Sequence, residues 1–352
     1  MERLEKLISQ VKPLNEEAMQ TARIRQDSLT KPKGSLGKLE EISIKVAGIK
    51  GDPRPKLKQK AIIVMAADHG VVAEGVSLYP QEVTRQMVFN FLSGGAGINV
   101  LARHIGARVT VVDMGVKGGF EPRPDLICKM IDFGTGNIAQ GPAMTRQQAL
   151  DSIKSGIEVL EAELSKGLDI VGTGDMGIAN TTPSAAICAL VTGKPVEEVT
   201  GRGTGLGEEG LNHKIRVIKK ALEVNRPNPN DALDILAKIG GFEIGGLAGV
   251  ILGAAAHRLP VVIDGFISGA AALIATKLCP QARDYLFAGH LSAETGHRLL
   301  LQYLGLEPLL NLNLRLGEGT GAALAISLIE ASVKVLNEMA TFEEAGVSRA
   351  EE

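Results

Sequence analysis

Short runs of apolar residues recur along most of the chain, separated by segments with helical spacing. Six such runs lie at residues 61–67, 109–112, 126–131, 168–171, 259–263 and 285–288. Continuous apolar runs of this length are typical of strands that are buried on both faces of a parallel sheet. Because helical segments separate them, the pattern predicts an α/β fold with a mostly parallel, doubly wound sheet of six strands and helices on both faces.

Both ends of the chain have a helical pattern without such runs. Apolar residues before position 50 recur at helical spacing with charged residues between them. Residues 51–55, which include two prolines, interrupt that pattern and are the best candidate for a linker. Residues 322–340 are helical again, with no strand after them. We therefore expect residues 1–57 and 322–352 to form a small helical domain, and residues 58–321 to form a large α/β catalytic domain.

The composition argues against a nucleic-acid partner. There are 38 Lys and Arg residues against 40 Asp and Glu residues, a formal net charge of -2, and no Trp. A nucleic-acid-binding surface would need a clustered excess of basic residues, and a platform for stacking bases would need more aromatic rings. We expect neither.

The chain also lacks the features of a membrane-bound or disulfide-bonded protein. Its first ten residues are charged and contain no apolar signal-peptide core. The longest apolar run, residues 244–256, is too short to cross a bilayer. Cys128, Cys188 and Cys279 lie far apart, which supports neither a disulfide framework nor a cysteine-based zinc site. We expect a cytoplasmic protein with no membrane partner.

Glycine-rich segments are the candidate ligand sites. Residues 172–177 match G-x-G-x-x-G directly after a predicted strand, which is the pattern of a dinucleotide-binding turn. A dinucleotide fold also needs a second strand that ends in an acid about 20 residues later. Glu197 and Glu198 stand at that distance without an apolar strand before them. An NAD-dependent dehydrogenase is therefore the weaker interpretation, although free amides at the start of a helix would still suit a phosphate.

Two further glycine clusters favour a phosphorylated ligand. Residues 201–205 place Arg202 among three glycines, and residues 134–137 include two more. Arg offers paired donors to a phosphate, and glycines let the backbone approach it closely. A single cluster of this kind would more simply be a flexible turn with a solvated Arg. Together with residues 172–177, the clusters favour one phosphorylated ligand.

One acidic residue stands between glycines near the end of the chain, at Glu318. Spacing alone favours a purely structural interpretation, in which Glu318 lies at the N-terminus of the following helix, the positive end of the helix dipole. Asp68 and His69 suggest a metal site or an acid–base dyad, but the six histidines include no H-E-x-x-H pair. We interpret the histidines as structural groups or as groups that contact the ligand-binding residues and not the ligand itself. The chain also lacks the G-x-S-x-G turn of a serine hydrolase.

The order of these motifs resembles one family over nearly the whole chain. The matching segments are KGSLGKLE at 33–40, residues 67–84, residues 90–96, residues 134–138, GDMGIANTT at 174–182, residues 201–205, DGFIS at 264–268 and LGEGTG at 316–321. They resemble the nicotinate-nucleotide–dimethylbenzimidazole phosphoribosyltransferases of cobalamin lower-ligand assembly. This resemblance implies transfer of 5-phosphoribose from nicotinate mononucleotide to 5,6-dimethylbenzimidazole. An alternative is the same chemistry with another acceptor base.

The resemblance also implies a Rossmann-like large domain, a homodimer, and a reaction without a cofactor or metal. By position, Glu318 matches the catalytic base. The residues expected around the benzimidazole are Ser77, Tyr79, Gln86, Met87 and Leu316. Those expected around the phosphoribosyl and nicotinate groups are Gly174, Asp175, Met176, Gly177, Arg202, Gly203, Lys214, Asp264 and Ser292.

Overall fold

The computed structural model describes residues 1–348 and has one parallel sheet at its centre. The strands are β1 Lys60–Ala67, β2 Arg108–Gly115, β3 Ile127–Cys128, β4 Ile170–Met176, β5 Val261–Ile263, β6 Leu286–His290 and β7 Pro308–Leu310. Their order is β3-β2-β1-β4-β5-β6-β7, and each neighbouring pair is parallel. The predicted α/β class and the parallel sheet are confirmed.

Helices surround this sheet. Within the described residues, the α-helices are α1 Glu2–Ile8, α2 Glu16–Ser28, α3 Lys38–Lys50, α4 Glu82–Leu92, α5 Gly97–Ile105, α6 Arg146–Ser165, α7 Thr181–Thr192, α8 Val196–Val199, α9 Glu208–Asn225, α10 Ala232–Ile239, α11 Phe242–Ala256, α12 Phe266–Leu278, α13 Thr295–Leu304, α14 Thr320–Glu338 and α15 Phe342–Ala345. Two short 3-10 segments, Gly70–Glu74 and Pro280–Tyr285, connect elements.

Both faces of the sheet are covered, which explains why β1 is apolar from Ala61 to Ala67. Met65 lies against Gly246 of α11, and Ile62 lies against Gly319, just before α14. Because side chains alternate along a strand, positions 62 and 65 point to opposite faces. All eight residues of β1 are buried as a result. The periodic glycines of α11 serve the same packing, since a Cβ at Gly156 of α6 would lie 1.8 Å from the carbonyl oxygen of Gly246.

Two strand predictions need correction. The sheet has seven strands and not six, because Pro308–Leu310 adds β7 to its edge beside β6. That strand has three residues, Pro-Leu-Leu, all only partly buried, and its apolar run is shorter than the runs that marked the other strands. In addition, β4 continues to Met176, so most of residues 172–177 lie inside a strand and not in the strand-to-helix turn that the dinucleotide pattern requires.

The helical ends of the chain pack together and against the sheet. Helices α2 and α3 contact each other, and α14 contacts α3 on one side and α5, β4, β5 and β6 on the other. By length and composition α14 would suit a membrane span, but its apolar residues are accounted for by these core contacts. The division into a small helical domain and a large domain stays a prediction, and its last four residues, 349–352, lie outside the described part.

The strand order identifies the edge at which a ligand would bind. From β1 the chain proceeds to β2 and β3 on one side, and β4 to β7 continue on the other side. In open parallel sheets, ligands bind beyond the carboxyl ends of the strands at such a reversal. The carboxyl ends of β1 and β4 are therefore the place to look for a site.

Candidate active site

A cavity of about 470 Å³ opens at this edge of the sheet. Its walls are residues 76, 77 and 79, residues 175–181, residues 203–204, residues 265–267, residues 290, 292 and 294, and residues 315–317. Most of these segments end or follow β1, β4, β5 and β6 or precede α14, and residues 203–204 lie between α8 and α9. The cavity is thus built mainly from the carboxyl ends of parallel strands and the loops that follow them.

The segment that carries Glu318 has an unusual backbone. Gly317, Glu318 and Gly319 have φ angles of 79°, 64° and 94°, so three successive residues are left-handed. Glycine adopts this region readily, whereas a residue with a side chain is strained there by roughly 1–2 kcal/mol. Surrounding contacts must therefore hold the middle residue in place.

Asp264, directly after β5, supplies one set of these contacts. Its carboxylate accepts hydrogen bonds from the backbone N–H groups of Gly319 at 3.1 Å, Gly321 at 2.7 Å and Ala322 at 3.0 Å. These are amides at the beginning of α14, which have no acceptor within the helix. Asp264 is completely buried, and burial raises its pKa to about 7 although the three N–H groups oppose that rise.

Gly174 in β4 supplies the second set of contacts. A Cβ at this position would lie 2.4 Å from the carbonyl oxygen of Glu318. The backbone of Glu318 therefore approaches the central strand so closely that only glycine fits at 174. The glycine that suggested a nucleotide turn in the sequence instead lets the Glu318 segment pack against the sheet.

The side chain of Glu318 reaches the beginning of another helix. Its Oε2 atom accepts a hydrogen bond from the Ile98 N–H of α5 at 3.0 Å. Ala96 precedes this helix and has no side-chain oxygen to cap it, so Glu318 takes that place. Glu318 is 4% exposed, and burial raises its pKa although the N–H groups of Ile98 and Gly97 oppose the rise. The structural interpretation placed Glu318 at the beginning of the helix that follows it, α14. Its carboxylate instead contacts α5, a helix far away in sequence.

A second carboxyl group lies on the cavity wall at Asp175, the penultimate residue of β4. Burial, together with the nearby carboxylate of Asp264, raises the pKa of Asp175 to about 8. Its Oδ2 atom accepts a hydrogen bond from Asn180 at 2.9 Å, whereas Oδ1 is buried and has no hydrogen-bond partner within residues 1–348. At neutral pH this group is mostly protonated, and it can therefore donate a hydrogen bond.

Two basic groups lie at the cavity wall or directly behind it. Lys214 is 1% exposed, and its Nζ donates to the hydroxyl of Thr181 at 2.7 Å. Burial lowers the pKa of Lys214 to about 8. Arg315 donates to the carbonyl oxygen of Gly203 at 3.1 Å. These groups suit an anionic ligand such as a phosphate.

Comparisons with known proteins agree on one family. A family model described as "Phosphoribosyltransferase" matches residues 11–347. The nicotinate-nucleotide–dimethylbenzimidazole phosphoribosyltransferase of Desulforudis audaxviator is 62% identical over 350 residues, which cover 99% of each chain. This chain belongs to that phosphoribosyltransferase family. The Chloroflexus aurantiacus relative with the same name is 58% identical over 99% of each chain. The solved structure of CobT from Thermus thermophilus has a TM-score of 0.92 and 50% identity, and the match covers 95% of this chain and 100% of that one.

In this phosphoribosyltransferase, most of the residues predicted for the site line the cavity directly. They are Ser77, Tyr79, Asp175, Met176, Gly177, Gly203, Ser292 and Leu316. The hydroxyl of Thr204 joins two walls, since it accepts a hydrogen bond from Leu78 N–H at 3.1 Å and lies 3.4 Å from the Ser77 hydroxyl. The roles of these residues stay predictions.

Other predicted residues lie behind the wall or away from it. Glu318, Gly174, Asp264 and Lys214 are buried next to residues that line the cavity. The remaining three are Gln86 and Met87, which lie on α4, and Arg202, none of which lines the cavity. Arg202 donates to the carbonyl oxygen of Leu206 and to Glu208. The predicted contacts of these three with a ligand stay untested.

Sequence reasoning did not select several lining residues of this phosphoribosyltransferase. They are Asn180, Thr181, His290, Glu294 and Arg315. Four of the five lie at or after the carboxyl ends of β4 and β6, so the predicted strand ends were the signal that could have found them. Arg315 directly precedes Leu316, which the resemblance did select.

The Asp68–His69 pair lies next to residues of the cavity wall but does not line the cavity. His69 Nε2 lies 2.7 Å from Glu243 Oε1, and both residues are buried. Burial alone would lower the pKa of His69, but the carboxylates of Glu243 and Asp68 raise it. The ring lies beneath Gly177, where a Cβ would come within 3.4 Å of it. Within residues 1–348, no group of three or more His, Cys, Asp or Glu side chains is arranged to hold a metal ion.

Proposed function

We propose that this phosphoribosyltransferase transfers 5-phosphoribose from nicotinate mononucleotide to 5,6-dimethylbenzimidazole, in cobalamin lower-ligand assembly. The products would be α-ribazole 5′-phosphate and nicotinate. Relatives that match along their whole length carry this activity in their names. The observation that carries the proposal is Glu318, a buried carboxylate held behind the cavity wall with a raised pKa.

The proposed reaction needs one base and no acid. The pyridine nitrogen of nicotinate mononucleotide leaves with the bonding electron pair and becomes neutral, so it takes up no proton. Glycoside hydrolysis generally uses two carboxyl groups because its leaving oxygen must be protonated. The attacking benzimidazole carries one lone-pair nitrogen and one N–H group, and attack makes its ring positive. Glu318 would remove the N–H proton as the new bond forms.

The two walls divide the work between the substrates. Ser77, Tyr79 and Leu316 would hold the flat acceptor near Glu318, with Gln86 and Met87 beyond them. Gly203 and Lys214 would hold the phosphoribosyl group. General-base catalysis is typically worth about 10²–10⁴-fold, and alignment of two bound substrates can supply more. Attack from the face opposite nicotinate would invert the linkage from β to α.

Asp175 fits this division because it is neutral. Nicotinate mononucleotide carries a phosphate and a carboxylate, and a second buried anion on the wall would repel it. With a pKa of about 8, Asp175 instead presents a mostly protonated carboxyl group at neutral pH. Such a group can donate a hydrogen bond to the donor substrate.

The test is product analysis with both substrates. The purified protein should release nicotinate and form α-ribazole 5′-phosphate, identified by mass spectrometry, only when both substrates are present. A panel that includes adenine and a phenol tests the alternative that the acceptor is another base. Absence of nicotinate release with every acceptor would overturn the proposed function. Binding of NADH without binding of nicotinate mononucleotide would favour the dehydrogenase alternative.

A homodimer and a cytoplasmic location are part of the proposal. Leu78, Tyr79 and Leu316, all near the cavity mouth, have more than half of their surface exposed. A partner subunit or a bound acceptor would cover these apolar groups. Light scattering during gel filtration would measure the mass in solution.

A further inference from the structure

Glu294, on the cavity wall between β6 and α13, has one buried carboxylate oxygen without a hydrogen-bond partner in the described part of the chain. The residue is 8% exposed, and this oxygen is Oε2. It precedes α13, but its side chain does not cap that helix. A buried charged group that lacks hydrogen bonds is costly, so its retention on a cavity wall calls for an explanation.

The surroundings keep this carboxylate in place without satisfying it. A Cβ at Gly201 would lie 2.0 Å from Oε2, so the glycine-rich loop leaves just enough space for it. Ser292 Oγ accepts the backbone N–H of Glu294 at 3.2 Å and fixes the turn before the helix. Lys214 is close enough for its charge to interact with Glu294, but its Nζ donates to Thr181 Oγ1 and forms no ion pair with Glu294 within residues 1–348.

The chemistry of the proposed substrates identifies the group that this carboxylate would bind. A carboxylate accepts hydrogen bonds and repels anions, which excludes the phosphate and the nicotinate carboxylate of the donor. The benzimidazole N–H is assigned to Glu318. The remaining hydrogen-bond donors are the hydroxyl groups of the ribose. We propose that Glu294 determines donor specificity by accepting hydrogen bonds from the ribose hydroxyls.

This inference rests on the proposed function and extends it to the sugar. In glycoside cleavage, hydrogen bonds to the sugar 2-hydroxyl strengthen in the transition state as positive charge develops on the ring. A site built to bind a hydroxyl also rejects the analogue that lacks it, because its own polar group is then left unpaired. Glu294 would therefore affect turnover as well as discrimination between ribose and deoxyribose donors.

The experiment compares nicotinate mononucleotide with its 2′-deoxy and 3′-deoxy analogues, at saturating dimethylbenzimidazole. For the wild type we expect kcat/KM to fall on the order of 10²-fold or more with at least one analogue. In Glu294→Ala the ratio between the donors should shrink to about tenfold or less, whereas the isosteric Glu294→Gln keeps one acceptor oxygen and should retain more of the ratio. The exposed Glu209→Gln variant on α9 is the matched control and should keep the wild-type ratio.

A glycine pair supplies an independent test. In Gly201→Ala the new Cβ must displace the Glu294 carboxylate, and the donor ratio should shrink as it does in Glu294→Ala. Gly207→Ala places a Cβ in open space and should keep the ratio. Thermal unfolding checks that each variant is folded, and calorimetry with the donors alone replaces kinetics where turnover is too slow to measure.

The outcomes separate this inference from the proposed function. If the wild type releases no nicotinate with dimethylbenzimidazole, the proposed function is wrong. If it turns over but does not distinguish the donors, or if Glu294→Ala keeps the wild-type ratio, only the ribose assignment is wrong. Equal losses with every donor would show that Glu294 has a structural role and would overturn the assignment.

Discussion

The Glu318 carboxylate accepts a hydrogen bond from the Ile98 backbone N–H at 3.0 Å. The residue proposed as the base thus also accepts a backbone N–H of the first turn of α5, which has no acceptor within that helix. The contact fixes one carboxylate oxygen and holds the side chain between its own segment and that helix. The position of the proposed base therefore depends on α5, a helix that does not line the cavity.

Replacing this base should separate turnover from folding. In Glu318→Gln the amide oxygen can still accept the Ile98 N–H, so the structure should persist, but the side chain cannot take a proton. We expect kcat to fall by roughly two orders of magnitude or more. Steady-state kinetics measures the change, and the melting temperature should stay within a few degrees of the wild-type value. A near-normal kcat would remove Glu318 from the role of base.

Activity should be lost on the acid side at a pH above the ordinary range of a glutamate. Burial raises the pKa of Glu318 above its ordinary value of 4.5, and only the ionised form can act as a base. The rate should therefore rise with pH as Glu318 loses its proton. Because the acceptor also takes up a proton in acid, the profile should be repeated with a less basic benzimidazole. If the acid limb of the pH profile shifts with the pKa of the acceptor, the assignment to Glu318 is contradicted.

The stability of the Asp175→Asn variant relative to the wild type should increase as the pH rises. The pKa of Asp175 is about 8 in the folded protein, against an ordinary value of 3.8, mainly because of burial. The contribution of this group to stability is therefore full below about pH 4 and is lost as the pH rises towards 8. Since one pKa unit corresponds to about 1.4 kcal/mol, the variant should be more stable by about 2 kcal/mol or more at pH 8.

Urea unfolding at pH 4.5 and at pH 8 would measure this difference. The surface variant Asp125→Asn is the control, because Arg123 lowers the pKa of Asp125 and neither side chain is buried in the core. Its stability relative to the wild type should not improve as the pH rises. A pH-independent difference for Asp175→Asn would show that this carboxyl ionises normally in the folded protein.

Gly174→Ala should impair the site through the backbone. The added Cβ would lie 2.4 Å from the carbonyl oxygen of Glu318 and must displace that segment from β4. Forced packing of this kind typically costs about 1–3 kcal/mol, and we expect kcat to fall by at least about tenfold. Gly141→Ala, where a Cβ meets nothing within 4 Å, is the matched control. Equal activity of the two variants would contradict the proposed dependence of Glu318 on β4.

Two arginines compete for the role of phosphate ligand. The glycine cluster predicts that Arg202→Ala raises the KM for nicotinate mononucleotide more than that for dimethylbenzimidazole. Arg315 lines the cavity, whereas Arg202 is paired with Glu208. We therefore expect Arg315→Ala to raise the KM for nicotinate mononucleotide by about tenfold, and Arg202→Ala to raise it less. The reverse order would show that Arg202 turns towards the ligand when it binds.

Apolar patterning predicted the architecture well because the central strands are buried on both faces. The runs at 61–67 and 168–171 became β1 and β4, with the second strand extending beyond its run. The edge strand Pro308–Leu310 was missed because its apolar run has only three residues. The other edge strand, β3, is shorter still, but it lies within the longer and mostly apolar run at 126–131 and was therefore found. The length of the apolar run around a strand thus decides whether its sequence reveals it.

The site was harder to predict because its contacts are long-range. Gly174 was interpreted as part of a phosphate-binding turn, but its partner is Glu318, which no local pattern links to it. Spacing likewise placed Glu318 at the helix that follows it, whereas it accepts from Ile98. The family resemblance selected Glu318 as the base, and that role stays a prediction. The structure places Glu318 in a buried position next to residues that line the cavity.

The left-handed backbone at Glu318 bears on how this position can change in evolution. Glycine would relax the strain at no steric cost, and its two neighbours are already glycine. Glycine would, however, also remove the acceptor of the Ile98 N–H at the beginning of α5, and the loss of such a cap costs about as much as the strain. A descendant that had lost the chemistry would therefore gain little stability from an uninterrupted Gly-Gly-Gly at this turn.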